Sequence, residues 1–304
     1  MPFRLTIALA LWLMTAAPVT AAVNVFACEP EWAALAERIG GDLVSIYAAT
    51  TAKQDPHQVQ ARPSLIARAR AADLVICTGA ELEVGWMPLV LRQAANPRIR
   101  PGGPGYLEAA TLVSLVEVPS VLDRSQGDVH ADGNPHIQTD PRNLLPVAQE
   151  LSRRLGQIDA ANAAAYRARQ AAFAAEFEQA IARWQQTAAP LRYVPVVVAH
   201  KNWSYLINWL GLREVATLEP KPGVPPSGGH LSDVLARVRS DPVRMIIHAA
   251  YESPRAAQWL AERARVPAVE LPFTVGGTED ARDLIGLFDA TIARLLRAAS
   301  NPSG

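Results

Sequence analysis

Cysteine is almost missing from this chain: Cys28 and Cys77 are the only two among 304 residues. Two sulfurs are too few for a soft-metal site built on thiolates. An excess of charge is missing as well, since 29 basic residues are balanced by 29 acidic ones. That balance leaves no electrostatic footprint for nucleic acid or for an anionic membrane surface. Lysine is scarce, with only Lys53, Lys201 and Lys221, and the arginine and alanine richness reads as compositional rather than functional. Long apolar runs are lacking too: the Leu5–Ala17 stretch is too short to cross a bilayer comfortably. There is no low-complexity segment, no histidine-rich tract and no convincing internal repeat. Neither His-Glu-x-x-His nor Gly-x-Ser-x-Gly occurs, so the marks of a zinc-protease helix and of a nucleophile elbow are absent.

What is present has the balance of a soluble globular protein, 50% hydrophobic and 19% charged, with length enough for two domains. Met1–Ala22 reads as a secretory leader. Arg4 gives the positive start, Leu5–Ala17 the apolar core, and Thr20-Ala21-Ala22 the small residues before a cut. The alternative is an uncleaved anchor. No cysteine sits at the expected cut, so a lipid anchor is not indicated. The expectation is therefore a nearly neutral, exported mature chain. Cys28 and Cys77 suit an oxidising compartment, and each ends an expected strand. A disulfide between them and a pair of buried thiols both fit the sequence.

Val23–Ala27, Val44–Ala49 and Leu74–Ile76 read as strands, with helices over Pro30–Ile39 and, capped by Ser64, as far as Arg70. Strands and helices alternating at this spacing indicate parallel βαβ units. A helix over Glu81–Gln93, a Pro/Gly-rich loop over Asn96–Tyr106 and a strand over Leu112–Glu117 complete the first half. After Pro190 the alternation resumes, with strands at Val194–Ala199, Ala216–Leu218, Met245–Ile247 and Ala268–Leu271. Helices are expected at Trp203–Leu210, at Leu231–Val238, from Ser253-Pro254 to Arg265, and from a Thr278 cap to about Ala298. Between the halves, Pro141–Ala188 is helical with a break near Gly156, and Tyr166, Phe173, Phe177, Ile181 and Trp184 share one face. As one helix, Asp159–Ala188 would be about 45 Å long at about 1.5 Å per residue. That length suits a rigid spine between two lobes, and the plainer reading is a long surface helix of one domain.

In open parallel sheets, ligands bind outside the carboxyl ends of the strands. His57 follows Asp55-Pro56 ahead of Pro63-Ser64. His136 stands in Asn134-Pro135-His136, before an Asp140-Pro141 helix start, and His200 closes the Val194–Ala199 run. Three imidazoles at such corners make a candidate metal site in a cleft between lobes. Imidazole suits Zn²⁺, Cu²⁺, Fe²⁺ and Ni²⁺, whereas Mn²⁺ prefers oxygen ligands, so three histidines without a carboxylate favour zinc. Of the other histidines, His130 lies in a polar loop and is expected to be solvated, with metal capture as the sharper role. His230 is expected at the surface, and His248 ends a strand near the cleft mouth. Asp55 and Asp140 read as caps or turn formers, with a hydrogen bond to a ligand histidine as the sharper option.

The segments Asp55-Pro56-His57 with Pro63-Ser64, Asn134-Pro135-His136 with Asp140-Pro141, and Val198-Ala199-His200 with Tyr205-Leu206 resemble those of the zinc/manganese solute-binding proteins of ABC transporters. The resemblance covers nearly all of the expected mature chain. It implies an α/β fold of two Rossmann-like lobes with parallel sheets joined by a long rigid α-helix. On that pattern residues 1–22 are leader, 23–155 the first lobe, 156–189 the linker helix and 190–304 the second lobe. It also implies His57, His136 and His200 as ligands, Zn²⁺ as cargo, a periplasmic location, an ABC permease as partner and a monomeric carrier that is not an enzyme. Two departures stand out. The acid this family places after its last strand is missing from Leu271-Pro272-Phe273-Thr274-Val275-Gly276-Gly277, and Ala249-Ala250 stand where manganese members carry a glutamate. Both argue against manganese, and they leave the fourth position to water, Glu279, Asp280 or His248. The rival readings are a three-histidine zinc hydrolase or hydratase and a metal-stabilised surface adhesin.

Overall fold

The structure is a computed structural model that describes residues 22–120, 127 and 130–300; residues 1–21, nearly all of the expected leader, lie outside these. Two four-stranded sheets organise the chain. The first holds β1 (Val23–Ala27), β2 (Val44–Ala48), β3 (Leu74–Cys77) and β4 (Tyr106–Glu108) in the order β2-β1-β3-β4, and all its pairings are parallel. The second repeats that plan with β5 (Pro195–Val198), β6 (Arg213–Thr217), β7 (Met245–Ala249) and β8 (Ala268–Leu271) in the order β6-β5-β7-β8, again parallel. Of the central strands, β3 (Leu-Val-Ile-Cys) and β7 (Met-Ile-Ile-His-Ala) are buried along their whole length, because helices cover both faces of a parallel sheet. Strand order reverses at β1/β3 and at β5/β7, and a ligand crevice forms at such switch points.

Helix α1 (Pro30–Gly40) turns Trp32, Leu35, Ala36 and Ile39 inward at helical spacing. Helices α2 (Pro63–Ala71) and α3 (Met87–Ala94) pack together on the other face of the first sheet. Helix α4 (Leu144–Ile158) leads into α5 (Ala163–Thr187), whose 25 residues span about 38 Å at about 1.5 Å each. The inward face of α5 is the expected one: Tyr166, Phe173, Phe177, Ile181 and Trp184 are all buried. Trp184 lies 5.1 Å, centroid to centroid, from Phe288 of α9 (Leu284–Ser300), and α5 also packs on α1 and α4. A single apolar core therefore runs from the first sheet through α5 into the second. The second sheet is flanked further by α6 (Ser204–Leu210), α7 (Gly228–Ser240) and α8 (Arg255–Ala264). Among the described residues, no helix is long and apolar enough to cross a membrane.

Several elements differ from the sequence reading. The fourth strand is β4, not Leu112–Glu117. Gly105 lets the backbone pass so close to β3 that a Cβ there would lie 2.7 Å from the Asp73 carbonyl oxygen, and its own carbonyl accepts the Val75 amide. The α3 helix starts only at Met87 because the Glu83 carboxylate accepts the amides of Thr78 and Gly79, bending 79–86 into turns. The interruption before α5 falls at Asp159–Asn162; Gly156 stays helical, and a Cβ there would lie 3.1 Å from that of Ala163. Helix α9 begins at Leu284, since the Thr278 hydroxyl donates to Asp280 instead of capping. Neither Ser64 nor Ser253 caps its helix, whose N-cap positions are Arg62 and Pro254.

Cys28 and Cys77 form a disulfide across the adjacent strands β1 and β3, with Cα atoms 4.8 Å apart. The sulfurs lie at the first switch point and tie the carboxyl ends of both strands together. Closing a loop of this length (sequence separation 49) stabilises a fold by about 4 kcal/mol in the chain-entropy account. Replacing both cysteines with alanine is expected to lower the unfolding free energy by about that amount, read as a fall in the urea midpoint with a somewhat steeper slope, because the unfolded chain loses its cross-link and expands.

Candidate metal centre

The three expected corners meet. Ring nitrogens of His57, His136 and His200 lie within 4.8 Å of one another, and the ring centroids are 5.3, 5.9 and 5.7 Å apart. His136 and His200 are buried and His57 is partly so. Among the described residues the only other metal-sized group is Cys28, Cys77 and Glu83, and its sulfurs are already joined in the disulfide.

Each corner is locked by its own motif. The Asp55 carboxylate accepts from the His57 amide at 3.0 Å and from the ring Nδ1 at 2.8 Å, so one aspartate both forms the turn and orients the imidazole. Trp86 donates its indole N–H to the Pro56 carbonyl and holds that turn from below. The Asn134 side-chain oxygen accepts from the His136 amide, while its amide nitrogen donates to Glu117 and to the Lys201 carbonyl. Tyr205 donates to the Asn134 carbonyl at 2.7 Å, so the Asn-Pro-His loop is fastened to the second half of the chain. Asp140 has no part in orienting His136: it accepts from the Arg142 amide and pairs with the Arg142 guanidinium. His200 hands its Nδ1 to Glu219 at 2.6 Å.

Glu219 is the residue the sequence reading missed. It follows β6, which lies beside β5 in the sheet, and His200 follows β5, so the two loops emerge side by side. An acid just past the neighbouring strand was the available signal. In both carboxylate–histidine pairs Nδ1 is engaged, which leaves Nε2 of His57 and His200 to face the cluster.

Charge within the site is uneven. Burial, then the neighbouring imidazoles, push His136 well below the ordinary histidine range and His130 down to about 4. Burial also acts against charge on His200, but the hydrogen bond it donates to Glu219 and the carboxylates of Glu219, Glu252 and Asp55 outweigh it, so its pKa is raised. Burial lifts the Glu252 carboxyl to about 7.

Among the fourth-ligand candidates, Asp280 is exposed and bound to Arg294 at 3.0 Å, and Glu279 is exposed. His248 is buried with Nδ1 3.3 Å from the Ala249 carbonyl oxygen, and its ring makes no contact with the other imidazoles. In place of an acid after β8, Phe273 packs its ring 5.5 Å from that of His136. His230 bonds the Thr217 carbonyl, away from the cluster. His130 is not free in solvent as expected: it is partly buried, with Nε2 3.2 Å from Nε2 of His57.

Against known proteins, residues 25–298 match the model of a family described as zinc-uptake complex component A, periplasmic. A metal ABC transporter substrate-binding lipoprotein of Streptococcus cristatus is 24% identical over 147 residues, 47% of this chain and 44% of its own length. The iron-binding protein YfeA of Yersinia pestis is 24% identical over 207 residues, 66% of this chain and 62% of its own. The matched segments thus span about half to three-fifths of these curated relatives. Among solved structures, a crystal structure of ZnuA superposes with a TM-score of 0.74 at 20% identity, covering 92% of this chain and 98% of that one. A manganese-bound periplasmic metal-binding protein from candidatus liberibacter asiaticus gives 0.74 at 16% identity over 91% and 99%. At these identities the likeness is one of fold: two parallel sheets joined by a long helix.

Proposed function

Because the chain belongs to the family of periplasmic zinc-uptake component A proteins, we propose that it captures Zn²⁺ outside the cytoplasm and hands it to an ABC permease. The observation that carries this reading is the convergence of His57, His136 and His200, from three separate loops, on one buried point. The division into a first lobe (23–155), a linker (156–189) and a second lobe (190–304) belongs to the same proposal, as do the leader 1–22 and action as a monomer.

Relatives named for manganese and iron make the choice of metal the open part of this reading. Donor chemistry favours zinc. The cluster offers imidazole nitrogens, and the turn from which the family's acid is missing brings Phe273 against His136 instead of a carboxylate oxygen of the kind manganese prefers. Asp55 and Glu219 bond the outer nitrogens of two ligands, the arrangement that fixes ring orientation and raises ligand basicity. Asp55→Asn and Glu219→Gln are each expected to weaken zinc binding by about tenfold to a hundredfold without unfolding the protein. Competition against a chelating dye measures this, and unchanged affinity in both variants would count against the ligand assignment.

The transport step has its own test. Proteoliposomes holding the cognate permease, with ATP inside the appropriate face, should accumulate radioactive zinc only when the wild-type carrier is added. Uptake that persists with a His57→Ala, His200→Ala carrier, or that carries manganese and not zinc, would refute the proposal.

A further inference from the structure

We propose that His130 is a fourth imidazole ligand, so that the cargo of His57, His136 and His200 is held by four nitrogens and no carboxylate. The inference rests on the metal-carrier reading above and deepens it. Two ligands on a tetrahedral zinc, each bonded at about 2.0–2.1 Å, are separated by an edge of about 3.3 Å. The Nε2 atoms of His57 and His130 are already 3.2 Å apart. The nitrogen of His57 that faces His130 is the one free for a metal, because Nδ1 is engaged by Asp55.

The His130 ring stands at the edge of the cluster: its centroid lies 5.3 Å from that of His57, within the 5.3–5.9 Å spread of the other three, and 6.4 Å from that of His136, so ligation draws it inward by about 1 Å. The position of His130 is tied to the loop that carries His136. The Gly133 amide closes a turn onto the His130 carbonyl, Asn134 donates its amide to Val116, and Ala131 donates to Glu81 at 2.7 Å. Gly133 adopts φ +118°, and a Cβ there would lie 2.9 Å from the Val116 carbonyl oxygen, so a glycine is required for this turn to press against 115–118. His130, His136 and His200 line one small cavity of about 170 Å³ together with Asn134, Lys201 and Glu117, whose carboxylate is engaged by Asn134, Ser204 and Lys201. Phe273 packs against His136 in the turn from which an acid is missing, and the nearby acid Asp280 is paired with Arg294.

The test compares the wild-type protein with His130→Ala and His57→Ala, loading each with zinc and, separately, with cobalt. His130→Ala is expected to retain one zinc per chain but to bind it at least about a hundredfold more weakly. Its cobalt d–d bands should weaken and shift as water enters the coordination sphere, and they should respond to added thiocyanate, which leaves the wild-type spectrum unmoved. Wild-type affinity and an unaltered cobalt spectrum in His130→Ala would overturn the assignment, as would a thiocyanate response from the wild-type site. Binding at wild-type strength by His57→Ala would mark a different failure, removing the three-histidine site itself.

Discussion

Replacing His57, His136 and His200 together with alanine is expected to abolish tight zinc binding while the protein still folds. A zinc site of this kind contributes on the order of 10–16 kcal/mol of apparent binding free energy near neutral pH, and it is built from directional nitrogen–metal bonds. With three donors gone, a single imidazole at His130 cannot hold the ion against water. The fold should survive because most of the apolar core, including the Phe177, Trp184 and Phe288 contacts, is made without the histidines, which meet it chiefly through Phe273. The disulfide between β1 and β3 is also left in place. Circular dichroism should be unchanged in the metal-free state, and the gain in melting temperature that zinc gives the wild type should vanish. A triple variant that still gains stability from zinc would place the metal elsewhere.

Zinc affinity should fall steeply as pH drops from 7 to 5, by about a hundredfold or more if one proton must be displaced throughout that range, at tenfold per unit. The sign follows from the directions in the site. His200 has a raised pKa, so it takes up a proton early in the descent and must lose it to bind metal. His136 and His130 are pushed down, so they stay neutral and compete little. Glu219→Gln removes the partner that raises His200, and its affinity should depend less on pH even though it is weaker at neutrality. Titrations at several pH values would reveal a slope near zero if the histidines were not the ligands.

The metal-free protein carries two opposed pH effects of its own. His136 has a depressed pKa, so its share of stability is present above about 6.5, the unfolded value, and is lost as pH falls through the folded one. Glu31 and Glu83 behave in the opposite sense. Burial raises each to about 7, so their contribution is complete below the ordinary carboxyl range and is lost as pH rises through 7. Glu31 accepts from Thr274 across 243 residues, joining α1 to the loop after β8.

Much of this architecture was legible because the signals were local. Six of the eight strands read closely from short apolar runs at βαβ spacing, β6 was placed about three residues late, and the inward face of α5 read from the positions of its aromatics. The three histidines were legible because each sits in a turn motif whose Asp, Asn or strand end announces a corner. What escaped depended on contacts distant in sequence. The β4 strand is made by a glycine that lets two backbones touch, and nothing in Tyr-Leu-Glu alone signals it. The turns ahead of α3 follow from a glutamate binding the end of β3, a demand that helix propensity does not register. His130 in a polar loop reads as solvated until the fold brings it to His57, 73 residues away. The disulfide likewise needed the adjacency of β1 and β3 to be decided.

The most direct test is a calorimetric titration of the metal-free mature protein with Zn²⁺ in the presence of a chelator, repeated with Mn²⁺ as competitor. One tight zinc per chain, undisturbed by excess manganese, is the result that an all-imidazole site predicts. Displacement of zinc by manganese would mean that oxygen ligands complete the site, and the absence of tight binding by either metal would contradict the carrier role itself.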